Sequence, residues 1–403
     1  MTDNKHRFPS KHVLAFFTAL LLVPLDSLHA DDFVAKKPNV LFVVFDDLNN
    51  RLGCYGDPIA KSPNLDRLAA RGTVFTRAYC QQPICGPSRA SFMSGRRPDS
   101  LGIWSMTKYL YDLHPDAVTI PQWFMQHGYT AMSIGKVLGG YGNPEHFKKL
   151  SVWDRRTGGK TKDEFAMPDG AALPPNLAKD LLCENRDVPD EACFDAVSTN
   201  LAITELRALA KKPEPFFLAL GLFKPHTPYK VPKRYWDIVI IGDNGFHLGE
   251  HDTWGKMTLF GWDARVPLII SVPGIGKGGA KTSAISELID IFPTLTVLSG
   301  LPSPPQLDGT SLVPVLKDAG ATVKTTALTQ HPRPALYWGG GPQALPQVMG
   351  YALKTDRWSY HEWRDFKTGH IVGQELYDEQ TDSLETVNIA GTVEAAAQIP
   401  AAR

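Results

Sequence analysis

The chain lacks a net charge, because 42 lysine and arginine residues balance 42 aspartate and glutamate residues. Without a global field it does not attract nucleic acid or an acidic membrane over long distances, so any anion must be bound by local groups. Internal repeats and low-complexity segments are also absent from the sequence. A chain of 403 residues can bury a large core, either as one large domain or as a large domain with a small one.

Long apolar runs are scarce as well. The run at residues 13–23 is shorter than the roughly 20 residues that a membrane-spanning helix needs, and no later run is longer. Basic residues precede this run and Leu28-His29-Ala30 follows it as a cleavage site, which is typical of a secretory signal peptide. An uncleaved membrane anchor is the alternative. We expect a signal peptide at residues 1–30 and a mature chain that is secreted or periplasmic, with no membrane contact after cleavage.

Cysteine is rare, with five residues in the chain. An odd number in an exported protein leaves at least one thiol unpaired. Cys183 and Cys193 flank a loop and are the best candidates for a disulfide, while Cys54 and Cys80 are a second pair that spacing alone does not decide. One unpaired cysteine is expected if Cys85 is reserved for chemistry.

Cys85 begins the run Cys85-Gly86-Pro87-Ser88-Arg89. Pro87 has no N–H group to donate and suits the first turn of a helix, and Gly95 predicts where that helix ends. The Cys85 side chain is therefore expected at a helix N-terminus, where free N–H groups and the macrodipole favour an anion. Arg89, one turn further on, can reach the same point and bind a tetrahedral oxyanion. A buried structural thiol or half of a disulfide is the alternative for Cys85.

Apolar runs rich in β-branched and aromatic residues predict strands that are buried on both faces, at residues 38–45, 129–134, 215–223, 238–241 and 267–272. Runs with helical periodicity and capping residues predict helices at residues 62–70, 119–127, 195–211 and 286–300. Together they predict an α/β fold with a mostly parallel central sheet sandwiched by helices. Short strand-like runs from about Ala335 predict a small antiparallel C-terminal subdomain.

Polar residues follow the predicted strands directly. Asp46 and Asp47 end the first strand, at the edge where open α/β sheets bind ligands, and their mutual repulsion favours a cation between them. A solvated strand end is the alternative. His226 follows the third strand, and a histidine that titrates near neutral pH can protonate a leaving alkoxide. An ordinary loop histidine is the alternative there.

The Cys85 run, followed by Ser94-Gly95-Arg96, resembles the signature of type I sulfatases, whose pattern ends in Thr-Gly-Arg. The flanking residues 78–83 and 96–99 are similar to the iduronate-2-sulfatase-like branch. This resemblance implies an alkaline-phosphatase-like fold and hydrolysis of sulfate esters on a sulfated saccharide. It also implies that a formylglycine-generating enzyme oxidises Cys85 to formylglycine, whose hydrated aldehyde attacks the sulfur.

The resemblance assigns metal ligands at Asp46, Asp47, Asp243 and Asn244, with the modified residue at position 85 as a further ligand. Oxygen donors of this kind favour a hard divalent cation, calcium over magnesium.

The resemblance also assigns catalytic roles to Cys85, Arg89, Lys136, His226 and Lys256. Arg89 stabilises the attacking oxygen, Lys136 and Lys256 neutralise charge on the sulfuryl oxygens, and His226 protonates the leaving alcohol.

Two features depart from the family pattern. The histidine usually found shortly after Lys136 is missing, and a helical segment is deleted near position 237/238. The departures leave two alternatives open: a catalytically impaired protein that binds sulfated glycans, and a phosphodiester or phosphonate hydrolase of the same superfamily. We expect a catalytic domain over residues 31–330 and the small subdomain over residues 331–403.

Overall fold

The computed structural model describes residues 37–137, 183–186, 194–226, 229–232, 243–335 and 345–392, with only the backbone for 183–186 and 229–232. Four predictions lie outside these residues: the signal peptide, the Cys183–Cys193 disulfide, the strand at 238–241 and the deletion near 237/238. The position of the missing histidine after Lys136 also lies outside them. Within the described part, no helix has the length and apolar character needed to cross a bilayer.

The strands are β1 Val40–Asp46, β2 Thr73–Tyr79, β3 Thr130–Gly135, β4 Cys183–Arg186, β5 Phe216–Pro225, β6 Tyr229–Pro232, β7 His247–Leu248, β8 Trp254–Gly255, β9 Arg265–Ile270, β10 Ala280–Thr282, β11 Ser286–Glu287, β12 Ala327–Arg333, β13 Val348–Lys354, β14 Trp358–Asp365 and β15 Ile371–Asp378. The α-helices are α1 Pro63–Ala69, α2 Cys85–Ser94, α3 Pro98–Leu101, α4 Leu110–Leu113, α5 Ile120–Gln126, α6 Phe194–Leu209, α7 Gly261–Ala264, α8 Ile291–Leu298 and α9 Val313–Lys317.

The sheet that carries the site has the order β1-β5-β3, and both strand pairs are parallel. These are the first three strands predicted from the sequence. Phe217 and Ala219 of β5 face the main hydrophobic core, while Leu218 and Leu220 pack beneath α6. Because the strands are parallel, their carboxyl ends meet at one edge of the sheet.

A second sheet places β2 between β10 and β11, both parallel to it, with β9 antiparallel to β2. The strand β2 was not predicted from the sequence, because Thr76 and Arg77 interrupt its apolar pattern. Both side chains have acceptors elsewhere: Thr76 Oγ1 donates to the Thr282 carbonyl oxygen at 2.9 Å, and Arg77 donates to Asp356 at 2.8 Å. The fold class is confirmed as mostly parallel α/β, although β9, the predicted strand at 267–272, runs antiparallel.

Most predicted helices are confirmed, with one correction. α2 begins at Cys85 and is followed by Gly95 in the left-handed region, at φ 68°, as expected. The helix predicted from residue 286 begins only at Ile291, because Ser286 and Glu287 form β11 against β2 and a 3₁₀ turn follows. The Glu287 carboxylate there forms ion pairs with Arg97 and Lys324, at 2.8 Å each.

The C-terminal strands form an antiparallel sheet in the order β12-β13-β14-β15. The sheet begins at Ala327, earlier than the run near Ala335 that suggested it, because β12 pairs along its whole length with β13. Residues from Pro38 onward belong to one compact unit, and the domain boundary at residue 330 stays a prediction. Cys54, Cys80 and Cys85 are free thiols, so Cys54 and Cys80 do not form the disulfide that their spacing left open.

Candidate active site

Three buried carboxylates meet at the carboxyl edge of the parallel sheet. Asp46 is the last residue of β1, and Asp47 turns the chain with a φ of 67°, a conformation that aspartate tolerates better than most residues. Asp243 joins them, because its N–H donates to the Phe45 carbonyl at 2.9 Å and its Oδ1 accepts from the Asp47 N–H at 3.0 Å. One carboxylate oxygen from each of the three aspartates lies within 4.8 Å of the others.

Two oxygen atoms in this cluster, Asp47 Oδ2 and Asn244 Oδ1, are buried and accept no hydrogen bond. The Asn244 amide nitrogen donates to Asp47 Oδ1 at 3.0 Å and to the Gly245 carbonyl at 2.8 Å, so the amide oxygen is its unused atom. A buried polar atom without a partner costs about 1–3 kcal/mol, and the carboxylates also repel one another. A hard divalent cation removes both penalties, and the oxygen donor set fits calcium or magnesium.

Arg89 is fully buried beside the carboxylates, and its guanidinium uses all five N–H donors. Nε donates to Asp243 Oδ2 at 2.7 Å, and Nη2 donates to Asp46 Oδ1 at 3.4 Å and to the Phe45 carbonyl at 3.5 Å. Nη1 donates to the carbonyls of Lys136 and Val137. Arg89 therefore holds two of the three aspartates in place, and its expected contact with an oxygen at position 85 stays a prediction.

Two lysines donate to the same carboxylates. Lys136 Nζ donates to Asp46 Oδ2, and Lys256 Nζ donates to Asp47 Oδ1. Burial disfavours both ammonium groups, but the neighbouring anionic groups together outweigh it, with Asp46 contributing most at Lys136 and Asp47 contributing most at Lys256, so the pKa of each lysine is raised. Burial likewise opposes ionisation of Asp46, yet Lys136 and Arg89 lower its pKa. All these groups are therefore charged at neutral pH.

Cys85 is the first residue of α2, as the sequence predicted, and its side chain is fully buried. Its Sγ lies 3.5 Å from Met106 Sδ, which also accepts the Gly86 N–H at 3.2 Å. Burial raises the pKa of the Cys85 thiol, outweighing Lys256 and Lys136, so the thiol is neutral at pH 7 and a weak nucleophile. The sulfur does not belong to the carboxylate cluster. Nothing in the sequence pattern indicated Met106, because its contact with α2 is made only in the fold.

His226 lies close to the carboxylates, with Nε2 3.8 Å from Asp47 Oδ2. Asp195, in the first turn of α6, fixes the chain that leads to it. Its two carboxylate oxygens accept the N–H groups of Phe223 and Lys224 at 2.7 and 2.8 Å. No functional role was predicted for Asp195 from the sequence, because acidic residues are common in the first turn of a helix, where they stabilise the helix alone.

The structure thus brings together every residue assigned from the sequence: Asp46, Asp47, Asp243 and Asn244 in the cluster, Arg89, Lys136 and Lys256 donating to it, and Cys85 and His226 beside it. A helix N-terminus beside a carboxylate cluster, at the carboxyl edge of a parallel sheet, fits the alkaline-phosphatase-like α/β fold expected from the sequence.

Two family models match the chain. The model Sulfatase matches residues 38–238, and the model N-sulphoglucosamine sulphohydrolase, C-terminal, matches residues 249–401. The chain belongs to the sulfatase family, and its reaction is the hydrolysis of sulfuric esters.

Known relatives agree with this assignment. The chain is 26% identical over 519 residues to iduronate 2-sulfatase of Mus musculus, covering 91% of this chain and 93% of the relative. Among solved structures, a protein in complex with its substrate D-glucosamine-2-N,6-O-disulfate superposes with a TM-score of 0.68 at 19% identity, covering 91% and 96% of the two chains. The phosphonate monoester hydrolase of Agrobacterium radiobacter superposes with a TM-score of 0.73 at 19% identity, covering 90% and 94%. At these identities the structures support the fold alone.

Proposed function

We propose that the protein hydrolyses sulfate esters of saccharides with a formylglycine made from Cys85 and a divalent cation. The cation, calcium in our proposal, is held by Asp46, Asp47, Asp243 and Asn244. The observation that carries the proposal is the pair of orphaned oxygens, Asp47 Oδ2 and Asn244 Oδ1, within a carboxylate cluster beside Cys85. A neutral, buried thiol is a poor nucleophile, which supports its conversion.

The bound cation would supply Lewis-acid stabilisation of negative charge on oxygen. The formylglycine hydrate would supply the hydroxyl that attacks sulfur. The chain's own contribution is positioning and charge: the partly buried Lys136 and the buried Lys256 bring two positive charges to the cluster, where they can stabilise sulfuryl oxygens more strongly than in water. Arg89 keeps Asp46 and Asp243 in a fixed geometry before substrate binds.

His226 is the proton donor of this proposal. Its ring lies at the edge of the cluster, partly exposed, where the alcohol of a sulfate ester would leave. A histidine is protonated in part near neutral pH and can transfer a proton to the departing oxygen. The result is a free hydroxyl on the sugar, with water consumed to release inorganic sulfate.

The saccharide part of the proposal rests on the relatives. One is named for iduronate 2-sulfate, and a structural neighbour was solved with a disulfated glucosamine. A saccharide of that kind fits the expectation of an exported enzyme, since the N-terminal sequence has the pattern of a signal peptide. We propose accordingly that the mature chain acts outside the cytoplasm and is modified by a formylglycine-generating enzyme.

The test is sulfate release from a panel of sulfated mono- and oligosaccharides, with protein co-expressed with a formylglycine-generating enzyme. Cys85→Ala and a chelated sample should both lose release, and calcium should restore the latter. Cys54→Ala is the matched control, because Cys54 is another free cysteine away from the cluster, and its release should be unchanged. Folded, converted protein that releases no sulfate would overturn the proposal in favour of a glycan-binding protein. Faster turnover of a phosphonate monoester would favour the second hydrolase class.

A further inference from the structure

Asp263, the third residue of α7, carries a fully buried carboxyl group to which the proposed reaction gives no role. Its Oδ2 accepts the N–H of Thr258 at 2.7 Å, and its main-chain carbonyl accepts the N–H of Gly245 at 2.8 Å. Gly245 directly follows the proposed ligand Asn244, and Thr258 lies two residues after Lys256. Asp263 therefore holds the chain near both ends of the segment that carries the second lysine of the site.

His247 contacts Asp263 from inside the same segment, and its side chain is also fully buried. Its Nδ1 lies 3.0 Å from the carbonyl of Glu250, which can only accept, so Nδ1 carries a proton. Burial lowers the pKa of His247, so the ring is neutral at pH 7 and Nε2 is an acceptor. This nitrogen lies 3.2 Å from Thr258 Oγ1 and 3.2 Å from Asp263 Oδ1.

The protonation state of Asp263 fits this arrangement. Burial raises the pKa of Asp263 to about 8, so the carboxyl group is mostly protonated at pH 7. Because Oδ2 accepts the Thr258 N–H, the proton belongs on Oδ1, which accepts no hydrogen bond from the described residues and faces His247 Nε2. A protonated Oδ1 can donate to that nitrogen, and the neutral carboxyl group then uses both of its oxygens.

Lys256 lies between residues that this pair holds. Gly255, directly before it, pairs with His247 across the β7-β8 sheet. Met257, directly after it, has a φ of 82°, in the left-handed region that residues other than glycine rarely adopt, which costs about 1–3 kcal/mol. Thr258 comes next, with its N–H bound from α7. The strained backbone at Met257 therefore needs an anchor on each side to keep the lysine in place.

We propose that Asp263 and His247 are positioning residues, which hold Lys256 where it meets Asp47 and the sulfuryl oxygens. The inference rests on the role of Lys256 in the proposed function and assigns to that role two residues that act through the lysine rather than on the substrate. A charge stabilises a transition state most when it is placed before the reaction, and a displacement of about 1 Å can cost about a hundredfold in rate.

The test compares Asp263→Ala and His247→Ala with Asp263→Asn, all co-expressed with a formylglycine-generating enzyme. Asparagine offers an amide oxygen to the Thr258 N–H and an NH₂ group to His247 Nε2, as the protonated carboxyl group does. Both alanine variants should lower kcat for a sulfated sugar about tenfold or more, with little change in KM, because a displaced lysine loses its contact with the transition state. Asp263→Asn should stay within about twofold of the wild type.

Asp290→Ala is the matched control. The Asp290 carboxylate is also fully buried and accepts two main-chain N–H groups, at 2.7 and 2.8 Å, but it lies outside the carboxylate cluster. Its replacement should lower the unfolding midpoint by a similar amount and leave the kcat of the folded protein unchanged.

A double-mutant cycle separates positioning from a general loss of stability. Lys256→Ala removes the positioned group, so adding Asp263→Ala to it should change kcat by less than about twofold. If Asp263→Ala does not fold, His247→Ala takes its place in the cycle. Two losses that multiply, a wild-type kcat in both alanine variants, or an equal loss in Asp263→Asn would each overturn the proposal.

Crystal structures of the variants keep this test separate from turnover. In the alanine variants Lys256 Nζ should lie about 1 Å or more from its wild-type position beside Asp47, whereas Asp263→Asn should keep that contact. If the converted wild type releases no sulfate, the proposed function fails, and a displaced Lys256 would still support the positioning role. An undisplaced Lys256 in both alanine variants would overturn that role whether or not sulfate is released.

Discussion

Replacing Arg89 by lysine tests whether this arginine holds the carboxylates or acts on the substrate. Lysine keeps the positive charge but carries its three N–H donors on one atom, whereas the Arg89 guanidinium spreads five over Asp243, Asp46 and three carbonyls. At least two buried acceptors therefore lose their partner. At about 1–3 kcal/mol for each, the free energy of unfolding should fall by about 2–6 kcal/mol. That is a large share of the roughly 5–15 kcal/mol of an ordinary domain.

The assay is urea unfolding followed by tryptophan fluorescence, with and without calcium, together with sulfate release. We expect Arg89→Lys to lower the unfolding midpoint and to weaken calcium binding, because Asp46 and Asp243 lose their fixed geometry. Arg357→Lys is the control, since its pair with Asp378 is solvent-exposed and should matter little.

One outcome would refute this reasoning. If Arg89→Lys unfolds at the same urea concentration as the wild type and binds calcium equally well, yet releases no sulfate, the guanidinium acts on the reacting oxygen. That result would restore the role expected from the sequence signature. If Arg89→Lys changes neither turnover nor stability, Arg89 neither holds the carboxylates in place nor acts on the reacting oxygen.

Three further predictions concern the surroundings of the site. His226→Gln should slow sugar sulfates by about a hundredfold or more, but 4-nitrophenyl sulfate much less, because nitrophenolate leaves without a proton; equal losses would contradict a proton-donor role. Asp195→Ala should lower kcat for sugar sulfates with little change in KM and affect 4-nitrophenyl sulfate less, because Asp195 holds the backbone that leads to His226; equal losses on both substrates would leave Asp195 a purely structural role. Burial raises the pKa of Asp263 to about 8, and its Oδ1 lies 3.2 Å from His247 Nε2. Asp263 therefore keeps its proton in the folded protein, whereas the unfolded chain releases it near pH 4. The free energy of unfolding is highest below pH 4 and declines as the pH rises towards 8, and this pH dependence of the unfolding midpoint should disappear in Asp263→Asn.

Several parts of the protein were predictable because the signals are local. The Cys85 run encodes its own helix start through Pro87, and Gly95 encodes the end of that helix, as the structure confirms. The strands β1, β3 and β5 were evident from continuous apolar runs, and polar residues at their ends indicated the edge that carries the site. The prediction that β1 is buried on both faces is wrong, because Leu41 and Val43 are exposed. The strand β2 was not evident, since its polar residues have partners far along the chain.

The sequence by itself predicted which residues gather at the candidate site, and the structure confirms that they share one edge of a parallel sheet. Contiguous motifs and strand ends specify these features without reference to the rest of the chain. Only the tertiary structure decided what each side chain contacts. Arg89 was expected to face an oxyanion, yet its Nε binds Asp243, 154 positions away. The contact of Met106 with Cys85 and the support of the chain before His226 by Asp195 likewise depend on packing between distant segments. Periodicity and propensity carry no information about such contacts, because each is fixed by which elements pack together.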